Sequence, residues 1–156
     1  MQKRQHLATI IRRIPKLMHI LYYTYRFFQP KYSMGVVGVV INEQREILLV
    51  EHVFHPKLPW GLPGGWIGNN EDPSKAVIRE LSEELKLTVA IDSLLLIRRT
   101  QYNHLDIAYL CQAQSDIGTL SYELLGYGWF SQDKLPPLHN FHYDAIKAAF
   151  LQWDKE

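Results

Sequence analysis

Between Gly65 and Leu87 the chain reads GWIGNNEDPSKAVIRELSEELKL. Glu80, Glu83 and Glu84 are spaced i, i+3, i+4, so a helix places their carboxylates on one face. Like charges that close repel by about a few tenths of a kcal/mol per pair. A cation among them offsets that repulsion. Carboxylate oxygens are hard ligands suited to Mg²⁺ or Mn²⁺. Mg²⁺ commonly bridges a few carboxylates to substrate phosphates, so residues of this type and spacing point to metal-assisted chemistry on phosphate groups. Gly64 and Gly65 let the backbone approach a ligand with no Cβ in the way.

The helix that must carry these side chains has its own signals. Asp72 is a favoured N-cap, and Pro73 fits the first helical position, where no N–H is needed. Val77, Ile78, Leu81 and Leu85 then gather on one side, with the three glutamates on a neighbouring side. Arg79 stands four residues before Glu83, within reach of its side chain. ELSEEL by itself reads as a solvated helix face. The wider pattern adds a glycine, a fourth glutamate at Glu71, the arginine and two aliphatics at fixed offsets. At average residue frequencies it should arise on the order of once in a million chains.

Those residues resemble the Nudix box, GX5EX7REUXEEXGU with U aliphatic, and the preceding Leu62-Pro63-Gly64 is typical of the same family. The surrounding elements extend the likeness to roughly residues 34–153. One position departs. Lys86 stands where the family has a glycine that closes the helix, so the exit turn is expected to be longer or differently shaped. The resemblance implies a Nudix-type α/β/α sandwich with a mixed β-sheet. It also implies a hydrolase cutting the diphosphate linkage of a nucleoside diphosphate joined to a further group, with Mg²⁺ (or Mn²⁺) and water. Carried over by position, Glu80, Glu83 and Glu84 are metal ligands and the Gly64 carbonyl a backbone ligand beside Gly65. Arg79 orients a glutamate, and Glu71 braces the loop before the helix. Many members use a further carboxylate as ligand or general base. Glu123 is the candidate here, because it lies shortly before Trp129-Phe130; Asp106 and Asp116 are its rivals.

The chemistry this implies is mostly positioning and neutralisation, since a diphosphate is strongly anionic. Divalent ions supply the neutralisation and lower the pKa of a water, and one carboxylate accepts the proton. The partner is then a small nucleotide-derived substrate. For holding a base by stacking, Trp60, Trp66, Tyr102 and Trp129 are available at loops or strand ends, each with core packing as the alternative. His52, His55 and His104 are available to touch phosphate or move a proton, against a plain solvated-loop reading. ADP-ribose hydrolases of this family often carry a proline beyond the box near where this chain has Tyr102. That difference weighs against ADP-ribose and resembles the dinucleoside-polyphosphate subgroup.

The remaining sequence bounds these expectations. A chain of 156 residues makes one catalytic domain with a proper core. Net charge of +1 gives no electrostatic case for nucleic acid. A lone cysteine, Cys111, forms no internal disulfide and fits a reducing compartment, placing the protein in the cytoplasm. Residues 1–30 form a separate amphipathic helical extension, with Leu7, Ile10, Ile11, Ile14, Leu17, Met18 and Leu21 opposite Arg12, Arg13 and Lys16. Pro15 kinks or restarts that helix. Charges interrupt it too often for a membrane span, and it makes a poor signal peptide. It packs on its own domain or a second subunit, lies on a membrane surface, or extends freely.

Residues 31–156 form the hydrolase domain. Strands are expected over residues 34–41, 47–50, 87–99, 105–112 and 127–130, a loop over 52–63, and a closing helix over 141–153. Tyr143, Ile146, Ala149, Phe150 and Trp153 lie on the inner face of that helix. Two other functions fit the same residues: a peripheral-membrane hydrolase of a lipid-linked diphosphate, and a non-catalytic nucleotide-binding regulator.

Overall fold

In the computed structural model, which describes Gln5 and residues 15–153, the apolar run over residues 34–41 is strand β1, Ser33–Val40. It reads as unbroken hydrophobic sequence because both its faces are covered. Successive side chains point to opposite faces. Val36 and Val40 enter one core, Val37 and Val39 the other. Strand β2, Glu46–His52, divides in the same way, with Leu48 and Val50 on one side and Ile47 and Leu49 on the other.

Two short strands, β3 (Trp60–Gly61) and β4 (Gly64–Trp66), occupy the stretch around the glycine pair. Helix α2, Pro73–Leu85, follows them. After it come β5 (Val89–Gln101), β6 (His104–Ala113) and β7 (Leu124–Ser131), and the described chain closes with helix α3, Asn140–Trp153. The order β4-β1-β6-β5 makes a mixed sheet, parallel only between β1 and β6. A second, antiparallel sheet has the order β3-β2-β7. Residues 52–63 are therefore not simply a loop: two residues pair with β2.

Helix α2 covers one face with Ala76, Val77, Leu81 and Leu85. Helix α3 covers the other with Phe141, Ala145, Ile146, Ala149 and Phe150. This is the expected α/β/α layering, with small adjustments at the helix edges. Ile78 is exposed, and Ala76 takes its place at the interface. Tyr143 and Trp153 also lie at the rim, not inside. Cys111 is buried, and burial pushes its thiol up to about 12, as suits a core residue.

The described part of the chain falls into two compact units, with the boundary between Lys31 and Tyr32. The first contains helix α1, Pro15–Phe28, which starts at the proline where a restart was expected. Among the described helices none is long and apolar enough to cross a membrane. The apolar stripe and arginines expected before Pro15 lie outside the described residues.

The ends of α2 explain its length. The Asp72 side chain accepts the Ser74 amide at 2.9 Å, and Pro73 occupies the first turn. At the other end Lys86 adopts the left-handed conformation, φ 52°, with its amide directed at the Leu81 and Ser82 carbonyls. Leu87 also donates to the Leu81 carbonyl, at 3.3 Å. The exit is thus the tight turn a glycine would make, formed by lysine instead, and the expected lengthening does not occur. Gly118 makes room for it: a Cβ there would lie 2.7 Å from the Lys86 Cβ. A non-glycine residue in this conformation is strained by about 1 kcal/mol. Lys86→Gly should therefore raise stability by about 0.5–1 kcal/mol with catalysis unchanged, measured by urea unfolding. Gly118→Ala should lower stability, and less so in the Lys86→Gly background; equal losses in both backgrounds would contradict the contact.

Candidate active site

Helix α2 projects its glutamates toward the glycine strand. Gly64, at φ 153°, has its hypothetical Cβ position blocked by the Val36 carbonyl, so no other residue fits. Its amide donates to Oε2 of Glu84 at 3.1 Å. At Gly65 a Cβ would stand 2.6 Å from the Glu80 carboxylate, so the strand lies flat against that group. Two glycines are required for different reasons: the β1 backbone fills the space beside Gly64, and the Glu80 carboxylate fills the space beside Gly65.

Arg79 does more than orient one glutamate. Its Nε and Nη2 grip both oxygens of Glu71, at 2.8 and 2.9 Å. Nη1 donates to Glu80 at 2.8 Å and to Glu83 at 3.1 Å, and Nη2 also reaches the Trp66 carbonyl at 3.0 Å. Glu71 in turn accepts the Gly68 amide at 2.7 Å, which closes the loop before the helix. The hydrogen bonds from Arg79, then that from Gly68, hold the Glu71 carboxyl down at about 2. The same bonds, Glu71 foremost, hold the Arg79 guanidinium above its ordinary value.

Glu84 differs from its neighbours. It is 6% exposed, the one buried charged residue among those described. Burial pushes its carboxyl up to about 8; the Gly64 amide pulls it back, and Glu80, Glu123 and Glu83 push it further up. Glu80 is raised too, chiefly by burial. Hard oxygen donors with too little positive charge around them are the environment a divalent cation completes. The donor set fits Mg²⁺ or Mn²⁺. Among the described residues no three acidic, imidazole or thiol groups stand in ready-made coordination geometry. Arg79 holds one oxygen each of Glu80 and Glu83.

The three candidates for a further carboxylate are placed differently. Glu123 lies on a loop tied to the same helix: the Ser121 amide donates to the Glu84 carbonyl at 2.9 Å, and the Gly118 amide to that of Leu85 at 2.8 Å. Its charge is felt at Glu84 and at His52. Asp106 instead bonds Thr100 and His104 and sits against Gly35. Asp116 lines a separate cleft with Trp129 and Trp153.

The aromatic candidates separate as well. Trp66 is 65% exposed and meets His104 edge-on, ring centres 5.0 Å apart. Tyr102, 91% exposed, stands at the tip of the β5–β6 hairpin beside Asn103, whose φ is positive. Trp60 is edge-on to Phe130 at 5.1 Å and packs on the α3-side core. Trp129 packs on the α2-side core. The placement of Trp60 and Trp129 is that of packing residues.

A cleft of about 570 Å³ opens on the α3 side, lined among others by His55, Arg99, His104, Asp106, His139 and His142. Burial, followed by the charge of neighbouring histidines, holds both His52 and His142 down at about 4. The sequence reading missed His139 and His142. Their i, i+3 spacing at the start of a helix was the available signal.

The NUDIX domain family model matches residues 31–152. A protein of Bacillus subtilis strain 168, whose assignment as an 8-oxo-dGTP diphosphatase is itself provisional, is 32% identical over 111 residues, covering 67% of this chain and 70% of that one. The crystal structure of a MutT NUDIX hydrolase from Burkholderia pseudomallei superposes with a TM-score of 0.68 at 25% identity, covering 76% and 98% of the two chains. That of an ADP-ribose pyrophosphatase from Streptococcus suis gives 0.67 at 24%, covering 82% and 94%.

Metal-free stability should follow the titration of these groups. Folded Glu84 keeps a proton that the unfolded chain has lost between about pH 4.5 and 8, so this group makes stability fall as pH rises through that range. His52 and His142 act in the opposite sense between about pH 4 and 6.5, where unfolding takes up protons. Two imidazoles outweigh one carboxyl in the lower range. Thermal melts in EDTA should therefore show a maximum near pH 6.5 and a decline toward pH 8. Glu84→Gln should abolish the decline and keep the acid limb; an unchanged decline would contradict the burial argument.

Proposed function

The chain belongs to the Nudix family, and from that premise we propose that it hydrolyses the diphosphate linkage of a nucleoside diphosphate derivative, with Mg²⁺ or Mn²⁺ held by Glu80, Glu83 and Glu84. The observation that carries this reading is the buried Glu84 carboxylate, bonded to the Gly64 amide with three other glutamate charges around it. Such a group is costly in a fold unless a cation completes it. When bound, the cations would neutralise the diphosphate oxygens and make a water acidic enough to attack phosphorus at neutral pH.

The protein residues supply the rest. Gly64 offers its carbonyl, with no side chain between strand and substrate. Arg79 sets the directions of Glu80 and Glu83, and Glu71 anchors Arg79. Glu123 accepts the proton of the attacking water; its electrostatic reach to Glu84 supports that choice over Asp106 and Asp116. The group beyond the diphosphate lies toward Trp66 and the His104 cleft, with Tyr102 at its outer rim. The named relatives differ in that group, 8-oxo-dGTP for one and ADP-ribose for another, so the shared part is a nucleoside carrying linked phosphates.

Helix α1 supports a second reading for residues 1–30. Tyr22, Tyr23, Tyr25, Phe27 and Phe28 are exposed on it. Lys3, Arg4, Arg12, Arg13, Lys16, Arg26 and Lys31 all precede the first acidic residue, Glu43. A basic aromatic helix suits an anionic membrane surface, and a lipid-linked diphosphate would then be within reach.

Glu83→Gln and Glu84→Gln should each lower turnover by about 10³-fold while the fold persists. Glu123→Gln should cost about 10²–10⁴-fold if it takes the proton. A screen of nucleoside di- and triphosphates, nucleotide sugars and dinucleoside polyphosphates should find a substrate with Mg²⁺ or Mn²⁺, inhibited by EDTA. No turnover of any of them would sink the hydrolase reading. For the arm, flotation with anionic vesicles should recover the full chain but not a variant lacking residues 1–30; equal recovery would end the membrane reading.

A further inference from the structure

The segment Leu62-Pro63-Gly64 is pinned by side chains from both helical layers. From α3, His142 Nδ1 accepts the Leu62 amide at 3.1 Å. From α2, Glu84 accepts the Gly64 amide at 3.1 Å. Between them the Pro63 carbonyl accepts the Gly38 amide at 2.9 Å. Three consecutive residues are thus fixed, and with them the plane of the peptide that leaves Gly64. A misplacement of about 1 Å in such a group can cost about 10²-fold in rate.

The imidazole itself has little room to move. A Cβ on Gly61 would lie 2.8 Å from its Cε1, so the ring rests against bare backbone. Because Nδ1 accepts, the neutral ring carries its proton on Nε2. His142 lines the cleft beside Arg99, His104 and Asp106. Among the described residues the ring's one hydrogen bond is from the Leu62 amide. The Nε2–H is then the ring's remaining donor.

We propose that His142 is a positioning residue: Nδ1 fixes the main chain that presents the Gly64 carbonyl to the cations, and Nε2–H binds the substrate group that fills the cleft. One ring thereby joins the substrate cleft to the metal site. The inference rests on the reading of the glutamate cluster given above.

Two substitutions separate the ends of the ring. His142→Asn keeps an acceptor near Nδ1 and loses the distal donor. His142→Gln keeps a donor near Nε2 and loses the acceptor. Mn²⁺ alone, titrated into substrate-free protein and followed by electron paramagnetic resonance, reads the Gly64 end. His142→Gln should weaken Mn²⁺ binding about tenfold and lower kcat, the usual cost of losing a group that orients a metal ligand. His142→Asn should bind Mn²⁺ within about twofold of wild type and keep kcat, with KM raised about tenfold by loss of one hydrogen bond. Wild-type Mn²⁺ affinity in both variants would overturn the proposal. So would equal weakening in both, with matching falls in Tm, which would mark His142 as packing only. Failure of the wild-type protein to bind Mn²⁺ would overturn the site reading itself, and this inference with it.

Discussion

The hydrogen bond from the Gly64 amide to the buried Glu84 carboxylate sets the arrangement of the whole centre. It joins the last turn of α2 to an edge strand of the mixed sheet, and it holds a carboxyl group where water barely reaches. Everything nearby answers to it. The strand must be glycine because the β1 backbone crowds Gly64 and the Glu80 carboxylate lies against Gly65. Arg79 must restrain the neighbouring glutamates, or their mutual repulsion would spread them apart. The apolar face of α2 must be strong enough to keep Glu84 where it is, and Leu81 and Leu85 on either side of it are fully buried.

Arg79 is the second organising element, and it works by distribution. One guanidinium bonds three carboxylates and a main-chain carbonyl. Its fork fits Glu71 in the two-point geometry that lysine cannot make. The loop before the helix and the glutamate face of the helix are therefore held by one side chain. Motion of either is felt by both.

Much of this was legible in the residues. The cap at Asp72-Pro73, the shared face of Glu80, Glu83 and Glu84, and the doubly buried run of β1 each depend on local spacing, which sequence records directly. Where the reading fell short, the cause was contact between distant segments. The apolar stripe alone does not show that Ile78 lies outside and Ala76 inside, because the packing angle of α2 on the sheet decides it. The substitution at Lys86 looked like a longer exit, since the compensating glycine at 118 comes from another part of the chain. The role of His142 lay hidden for the same reason: its partner amide, Leu62, is separated from it by most of the domain. The pairing of Trp60-Gly61 with β2 likewise required knowing where the sheet edge runs.

The loop from Gly118 to Glu123 hangs from the final carbonyls of α2, through the Gly118–Leu85 and Ser121–Glu84 bonds. Helix ends leave such carbonyls without partners of their own, so the attachment satisfies a need of the fold. It also ties Glu123, the proposed proton acceptor, to the helix that carries Glu80, Glu83 and Glu84, the proposed cation ligands. When the domain breathes, a tether of this kind lets these groups travel together, so that the spacing between them survives. On the proposed mechanism, insertions in that tether would detune the reaction without touching any group assigned a role in it.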